Sequence, residues 1–267
     1  MYRRVLTAVL SVLFVAQAPL SAETLEPGEI VDRMITAAGG DAFAKLGVLK
    51  LEVHEEETRN DGTQSTKDYT LMVDTGNLAN LRAEYPSGTV VGANAGGGWG
   101  VENGVLDDRP QTPTMARKIL YQAVFPLLMP YSLKMDGVWV KEVRETVLDG
   151  RDVWVMAIPF TKGFFVSPVL ATTWIMVVAQ DDYSILSFEF FPPPEYRKVS
   201  LMGIRYRILK HQERDGAKIA EQLLSVGINV RGEESGHVRV TKSKASVQRW
   251  EPALFLSPAQ LEALEED

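Results

Sequence analysis

From residue 48 onward the chain repeats one pattern, short runs in which apolar and polar residues alternate, each closed by a turn signal. Leu49, Leu51 and Val53 alternate with Lys50, Glu52 and His54. After Asn60-Asp61-Gly62 the period resumes at Tyr69, Leu71 and Val73, then at Leu81, Ala83 and Tyr85 around Arg82 and Glu84. Shorter pieces at residues 90–93 and 99–101 lie among breaks at Pro86-Ser87-Gly88, Gly96-Gly97-Gly98 and Asn103-Gly104. Later runs cover residues 138–148 and 153–158 across Asp149-Gly150, 172–178 and 185–191 across Asp181-Asp182, 201–210 and 219–230 across Asp215-Gly216, and 237–247. A period of two gives each run one face to bury, and local connections predict antiparallel neighbours. Ten or eleven strands with few helices predict a mainly β chain forming one large curved antiparallel sheet or open barrel over residues 23–267, as a single domain.

Two segments break the period. Ile30, Val31, Met34, Ile35 and Ala38 recur at helical spacing, with Pro27 in the first turn and Gly39-Gly40 at the end. Asp41 is placed to cap a further short turn through Leu46. In residues 112–131, Met115, Ile119, Leu120, Ala123, Val124, Leu127, Leu128 and Tyr131 form an apolar stripe. Pro126 and Pro130 predict that this helix breaks near Phe125. Near the C-terminus Ser257, Pro258 and Gln260 fit a capping box that opens a short helix.

The N-terminus reads as an export signal: Arg3-Arg4, an apolar run from Val5 to Val15, and small residues up to Ala22, where cleavage is expected. Removing residues 1–22 leaves 26 basic against 35 acidic side chains, a net charge of -9. That balance argues against nucleic acid as a partner, since phosphate binding needs a basic face. No cysteine is present, so disulfides, thiolate metal sites and a lipidated cysteine are excluded. The reading is a soluble periplasmic protein, with secretion to the medium as the alternative.

The signal segment, the opening helix running into Ala37-Ala38-Gly39-Gly40-Asp41-Ala42-Phe43-Ala44-Lys45-Leu46, and the strand straight after it are joined by two further echoes. One is Trp99-Gly100-Val101-Glu102-Asn103-Gly104 followed by a helical insertion. The other is the hairpin Val147-Leu148-Asp149-Gly150-Arg151-Asp152-Val153-Trp154. In this arrangement most of the mature chain resembles the LolA/LolB-like outer-membrane lipoprotein-sorting superfamily. The resemblance implies an open half-barrel whose apolar concave face is plugged by helices and handles acyl chains, with residues 112–131 as the plug. It implies a hydrophobic cavity lined by Leu81, Tyr85, Trp99, Ile119, Leu120, Val124, Leu128, Tyr131, Trp139, Trp154 and Trp174. The sorting carriers use an arginine on an early strand. Arg82 is nearest by position, but its alternation points it away from Leu81, Ala83 and Tyr85, so no role is carried over to it.

Aromatic residues crowd the second half, among them Phe164, Phe165, Phe188, Phe190 and Phe191. Phe164 and Phe165 sit in a loop that either touches a membrane or partner or folds over the core. Catalytic readings find little purchase. His54, His211 and His237 occur singly, and in His54-Glu55-Glu56-Glu57 only His54 and Glu56 share a strand face, which reads as a solvated acidic edge. Ser235-Gly236 lacks a nucleophile elbow's first glycine, Gly96 to Gly98 lacks the Lys-Ser/Thr of a phosphate loop, and Asp107-Asp108 and Asp181-Asp182 sit at turns. The expectation is a carrier or binding protein without catalytic residues, cofactor or metal, whose partners are a lipid or acylated ligand and, transiently, a membrane protein. The alternative is a periplasmic sensor or accessory subunit of an envelope complex.

Overall fold

The computed structural model describes residues 25–166, 173–191, 203–229 and 231–265. The expected signal segment, the strand starts at Thr172 and Leu201, Val230, and the stop at Pro192-Pro193-Pro194 lie outside the described residues. Helices α1 (Pro27–Ala37) and α2 (Gly40–Ala44) lead into β1 (Val48–Thr58), β2 (Gln64–Asp74), β3 (Leu81–Glu84), β4 (Val90–Asn94), β5 (Gly97–Glu102) and β6 (Val105–Leu106). Helix α3 (Thr112–Leu127) and a 3-10 turn (Tyr131–Lys134) follow. Then come β7 (Glu142–Leu148), β8 (Arg151–Pro159), β9 (Thr173–Ala179), β10 (Ile185–Phe190), β11 (Gly203–Arg214), β12 (Ala217–Ile228) and β13 (Glu234–Gln248), before α4 (Pro258–Glu265).

The described strands form a single antiparallel sheet ordered β6-β5-β4-β3-β2-β1-β13-β12-β11-β10-β9-β8-β7. It is two meanders joined where β1 meets β13, and it is not closed. The hairpin turns are those the sequence signals: Asp149-Gly150 has φ of 52° and 81°, and Asp215-Gly216 has 48° and 90°, the left-handed pair that matches strand twist. Because β6 and β7 are opposite edges, the chain between them must pass from one rim of the sheet to the other. It crosses the inner face, and α3 makes that crossing, packing on β3, β4 and β5 and reaching β12. Its closest approach is at β5, where a Cβ on Gly98 would lie 2.2 Å from the Pro113 carbonyl oxygen.

Helix α3 runs through Pro126 to Leu127 rather than breaking near Phe125. Pro126 falls in the last turn, where a missing N–H removes one bond without interrupting a continuing ladder. Asp41 makes no cap, since Gly39 holds the position before α2 with φ of 86°. Of residues 138–148, only Glu142–Leu148 forms a strand, and Val138 makes a lone bridge to Phe160. Nor is β1 a solvated edge: it pairs along its whole length with β2 and β13 at the centre of the sheet.

The outer face carries a second, smaller apolar contact. Residues after β13 cross it, burying Phe255 against Val48 and Met72. The Phe255 carbonyl accepts from Asn94 Nδ2 at 2.9 Å and Trp99 Nε1 at 3.3 Å, and Arg82 donates to the Leu254 carbonyl at 3.3 Å. Ser257 and Gln260 form the expected reciprocal capping box, at 2.9 and 3.2 Å.

Ladder pairing between β12 and β13 begins only at Gln222 and Lys242, and before it the Ser243 hydroxyl of β13 donates to the Ala220 carbonyl. A side chain bridges the gap. The Gln212 amide donates to the Ser243 carbonyl at 2.9 Å and accepts from the Ala245 N–H at 2.8 Å, as a peptide group of a missing strand would. Gln212→Leu is expected to leave these groups unpaired and lower unfolding free energy by about 1–3 kcal/mol in urea titration; an unchanged midpoint would show that the bridge carries no stability.

Candidate ligand-binding face

The inner face carries the main core. Leu49, Leu51, Val53, Leu71, Val73 and Leu81 line one limb of the sheet, and Trp154, Met156, Ile158, Trp174, Met176, Val178, Phe188 and Phe190 line the other. Across the second limb the rings form one continuous cluster. Trp174 stacks on Phe188 at 4.6 Å and lies 5.7 Å from Tyr206. From above, Phe125 of α3 meets Phe188 at 5.6 Å, and Phe165 meets Trp174 at 5.8 Å. Phe160, Phe164 and Phe165 pack on one another at 4.9 to 5.0 Å. Phe164 and Phe165 are both 3% exposed, so their loop folds over the core rather than projecting from it.

Of the residues assigned to a hydrophobic cavity, Leu81, Leu120, Val124, Leu128, Tyr131, Trp154 and Trp174 come together in this core, with Tyr85 packed partly buried against it. Tyr131 joins the crossing segment to the N-terminal helices: its ring stacks on Phe43 at 3.8 Å and its hydroxyl donates to the Ala38 carbonyl, which also takes the Lys218 N–H at 2.9 Å. Burial pushes the Tyr131 hydroxyl up to about 12. Three residues fall elsewhere. Ile119 is half-buried at the flank of α3. Trp99 lies on the outer face, flat over Gly92, where a Cβ would sit 2.1 Å from its ring; its neighbours Gly98 and Gly100 take the inner side against α3. Trp139 precedes β7 and is 46% exposed. Arg82 points outward as its alternation requires, pairing with Glu84 at 2.7 Å and lying 5.8 Å over the Trp99 ring.

The crossing segment packs directly on the sheet, with Phe125 against Phe188 and Leu120 and Val124 in the main core. A cavity of about 380 Å³ opens at its end, between α1, Met129-Pro130, the β9–β10 turn and β11, with Met34, Met129, Ile185 and Ile208 among its walls and His211 and Lys218 at its edge. Burial and the Lys218 charge hold His211 below the usual histidine range. The polar hollow on the outer face, about 730 Å³, is crossed by ion pairs of its own, His54 with Asp68 at 2.7 Å and Lys210 with Glu221 at 2.6 Å. Among the described residues no group of three or more His, Asp or Glu could hold a metal ion.

One part of the inner face was invisible in the sequence. At the end of β1 nearest the Asn60 turn, Glu55 accepts from the Tyr69 hydroxyl at 2.8 Å. Glu57 accepts from Arg239 at 2.7 Å and contacts His237 Nε2 at 2.9 Å. Lys67 stands over the Tyr69 and Tyr85 rings at 5.1 and 5.0 Å. These side chains belong to strands far apart in the chain, and only the register of β13 on β1 unites them. Arg239 foremost, with His237, lowers the Glu57 carboxyl from 4.5 to about 2 against an opposing effect of burial. A carboxyl depressed in the folded state stabilises fully above its unfolded value and loses that contribution as pH falls through its folded one. Glu57→Gln is therefore expected to be less stable than the parent at neutral pH, with the gap closing as pH falls from 4.5 towards about 2; a gap independent of pH would contradict the assignment.

No family model and no curated protein matches the sequence. Solved structures do match. A LolA superfamily protein from Nitrosomonas europaea aligns over 88% of this chain and 100% of its own, at 11% identity and TM-score 0.59. An outer membrane lipoprotein-sorting protein domain from Vibrio parahaemolyticus aligns over 88% and 99%, at 12% identity and TM-score 0.54. A DUF1329 family protein from Desulfovibrio piger aligns over 91% and 100%, at 14% identity and TM-score 0.50. The open antiparallel sheet with its helical crossing is thus the fold of LolA superfamily proteins.

Proposed function

We propose that this protein is an exported carrier or binding protein for a lipid or another hydrophobic molecule, and that the structure is its closed form, with the crossing segment standing in for cargo. The observation that carries the reading is how the inner face is covered. The aromatic floor of Trp174, Phe188 and Phe190 lies beneath one helix and one loop, not a second sheet, and the covering residues Leu120, Val124, Phe125, Leu128, Phe164 and Phe165 are apolar. Such contacts are non-directional, so an acyl chain can replace them at about 0.8 kcal/mol per buried CH₂ with little bond geometry to satisfy. Among the described residues the polar ties are few. Arg117 donates to the Asn94 carbonyl at 3.4 Å, Tyr131 to Ala38, and Lys134 pairs with Asp32 at 2.7 Å.

The LolA-like fold supports the reading, since the lipoprotein-sorting domain named above shares it. No helix of the described residues is long and apolar enough to cross a membrane, and export rests on the N-terminal Arg3-Arg4 and apolar run.

Native mass spectrometry of the mature protein, purified from the periplasm without detergent, is expected to show a bound acyl species or uptake of added lipid. An unliganded mass that takes up no lipid would refute the carrier. Leu128→Ala, at a fully buried position, is expected to cost about 2–5 kcal/mol in urea titration and to increase uptake of an apolar fluorescent probe. Lost stability without increased uptake would mean that the segment is fixed core and not a plug.

A further inference from the structure

One cross-strand row of the inner face changes character along its length. In register it runs Ser65, Glu57, Arg239, Ser225, Tyr206, Phe188, Met176, Met156 and Val143, one residue from each of nine successive strands. The first four are polar or charged and the last four apolar, with Tyr206 at the boundary. The Tyr206 ring stacks 5.7 Å from Trp174 and 6.5 Å from Phe188, and its hydroxyl lies beside Ser225, Arg239 and Glu55. A molecule lying across the strands would meet charge at one end and aromatic carbon at the other.

The charged end has unspent bonding capacity. Among the described residues Lys67 makes no ion pair, its ammonium resting over two tyrosine rings. Among the described residues Arg239 donates one N–H to Glu57 and none to another side chain, with 36% of its own side chain exposed. Facing them are Glu55, bonded by Tyr69, and Glu57, held by Arg239 and His237 with Arg59 at 3.4 Å. Three permanent cations, Lys67, Arg239 and Arg59, stand against two carboxylates, with Arg59 paired to Glu57. A simple anion here would be opposed by Glu55 and Glu57, and a simple cation by Lys67 and Arg239. A zwitterion meets each charge with its opposite. The paired faces of Tyr69 and Tyr85, 5.7 Å apart, already hold one ammonium, which shows what they accept.

We propose that this end of the inner face is a head-group site for a zwitterionic phospholipid. Lys67 leaves the tyrosine faces to join Arg239 at the phosphodiester, and the ligand ammonium takes its place over the rings, against Glu55. The acyl chains continue along the row over Tyr206, Phe188 and Met176 when Phe125 and the Phe164-Phe165 loop withdraw. The site rests on the carrier reading and specifies its cargo.

The test is a binding titration of the full mature chain with three probes: dioleoylphosphatidylethanolamine, dioleoylglycerol with the same chains but no head group, and glycerophosphoethanolamine with no chains. The phospholipid is expected to bind on the order of tenfold or more tighter than either. Lys67→Gln and Arg239→Gln are expected to abolish its advantage over dioleoylglycerol while leaving dioleoylglycerol binding unchanged. Lys67 is exposed and forms no ion pair, so its variant keeps the test valid even where Arg239→Gln unsettles Glu57. Equal binding of the two lipids, unaffected by either variant, would overturn the head-group site and leave the carrier standing. Equal binding of glycerophosphoethanolamine and the phospholipid would overturn the role of the chains. Binding of neither lipid would overturn both the carrier and this site.

Discussion

The structure depends on one connection. The two meanders put β6 and β7 at opposite rims of a thirteen-strand sheet, and at about 4.8 Å per strand those rims would be roughly 58 Å apart if the sheet were flat. A helix the length of α3 spans only about 24 Å. The segments flanking α3 make up the rest of the span, and α3 itself lies on the inner face, packed on β3, β4 and β5. A connection between the two rims is thus a necessity of topology. A segment obliged to cross the mouth of a half-barrel is made apolar on the side that meets the sheet, and the core condenses around it.

The two faces are closed by different physics. On the outer face the C-terminal segment is held by directed bonds from Arg82, Asn94 and Trp99 to the backbone at Leu254 and Phe255, with one anchoring ring. Directed bonds tolerate little displacement. On the inner face the cover is held mainly by area and shape, which any apolar body of similar form can match. Strength of attachment and ease of replacement are separate properties, and the chain assigns them to opposite sides of one sheet.

Most of the strand architecture was legible because alternation and turn chemistry act locally. Asp149-Gly150 and Asp215-Gly216 take the conformation their identities demand, and Ser257 with Gln260 forms the cap its spacing predicts. The failures share one cause. Trp99 is expected among the cavity residues that the resemblance implies, whereas it lies on the outer face and the glycines on either side of it face the helix. Pro126 was given the power of a mid-helix break although it stands in a last turn. The run from His54 to Glu57 was read as an edge because nothing local shows that a strand from the far end of the chain pairs with it. The charged end of the inner face needed that same register, so Arg239, Lys67 and Tyr206 carried no signal of their own.

The pairing of β1 with β13 also bears on how the protein folds. Leu51 finds its partner in Ala245, so the centre of the sheet closes only when strands from the two ends of the fold meet. Contacts of such separation carry a large loop-closure cost and form late. The strand order thus delays completion of the core until both meanders are present to pair.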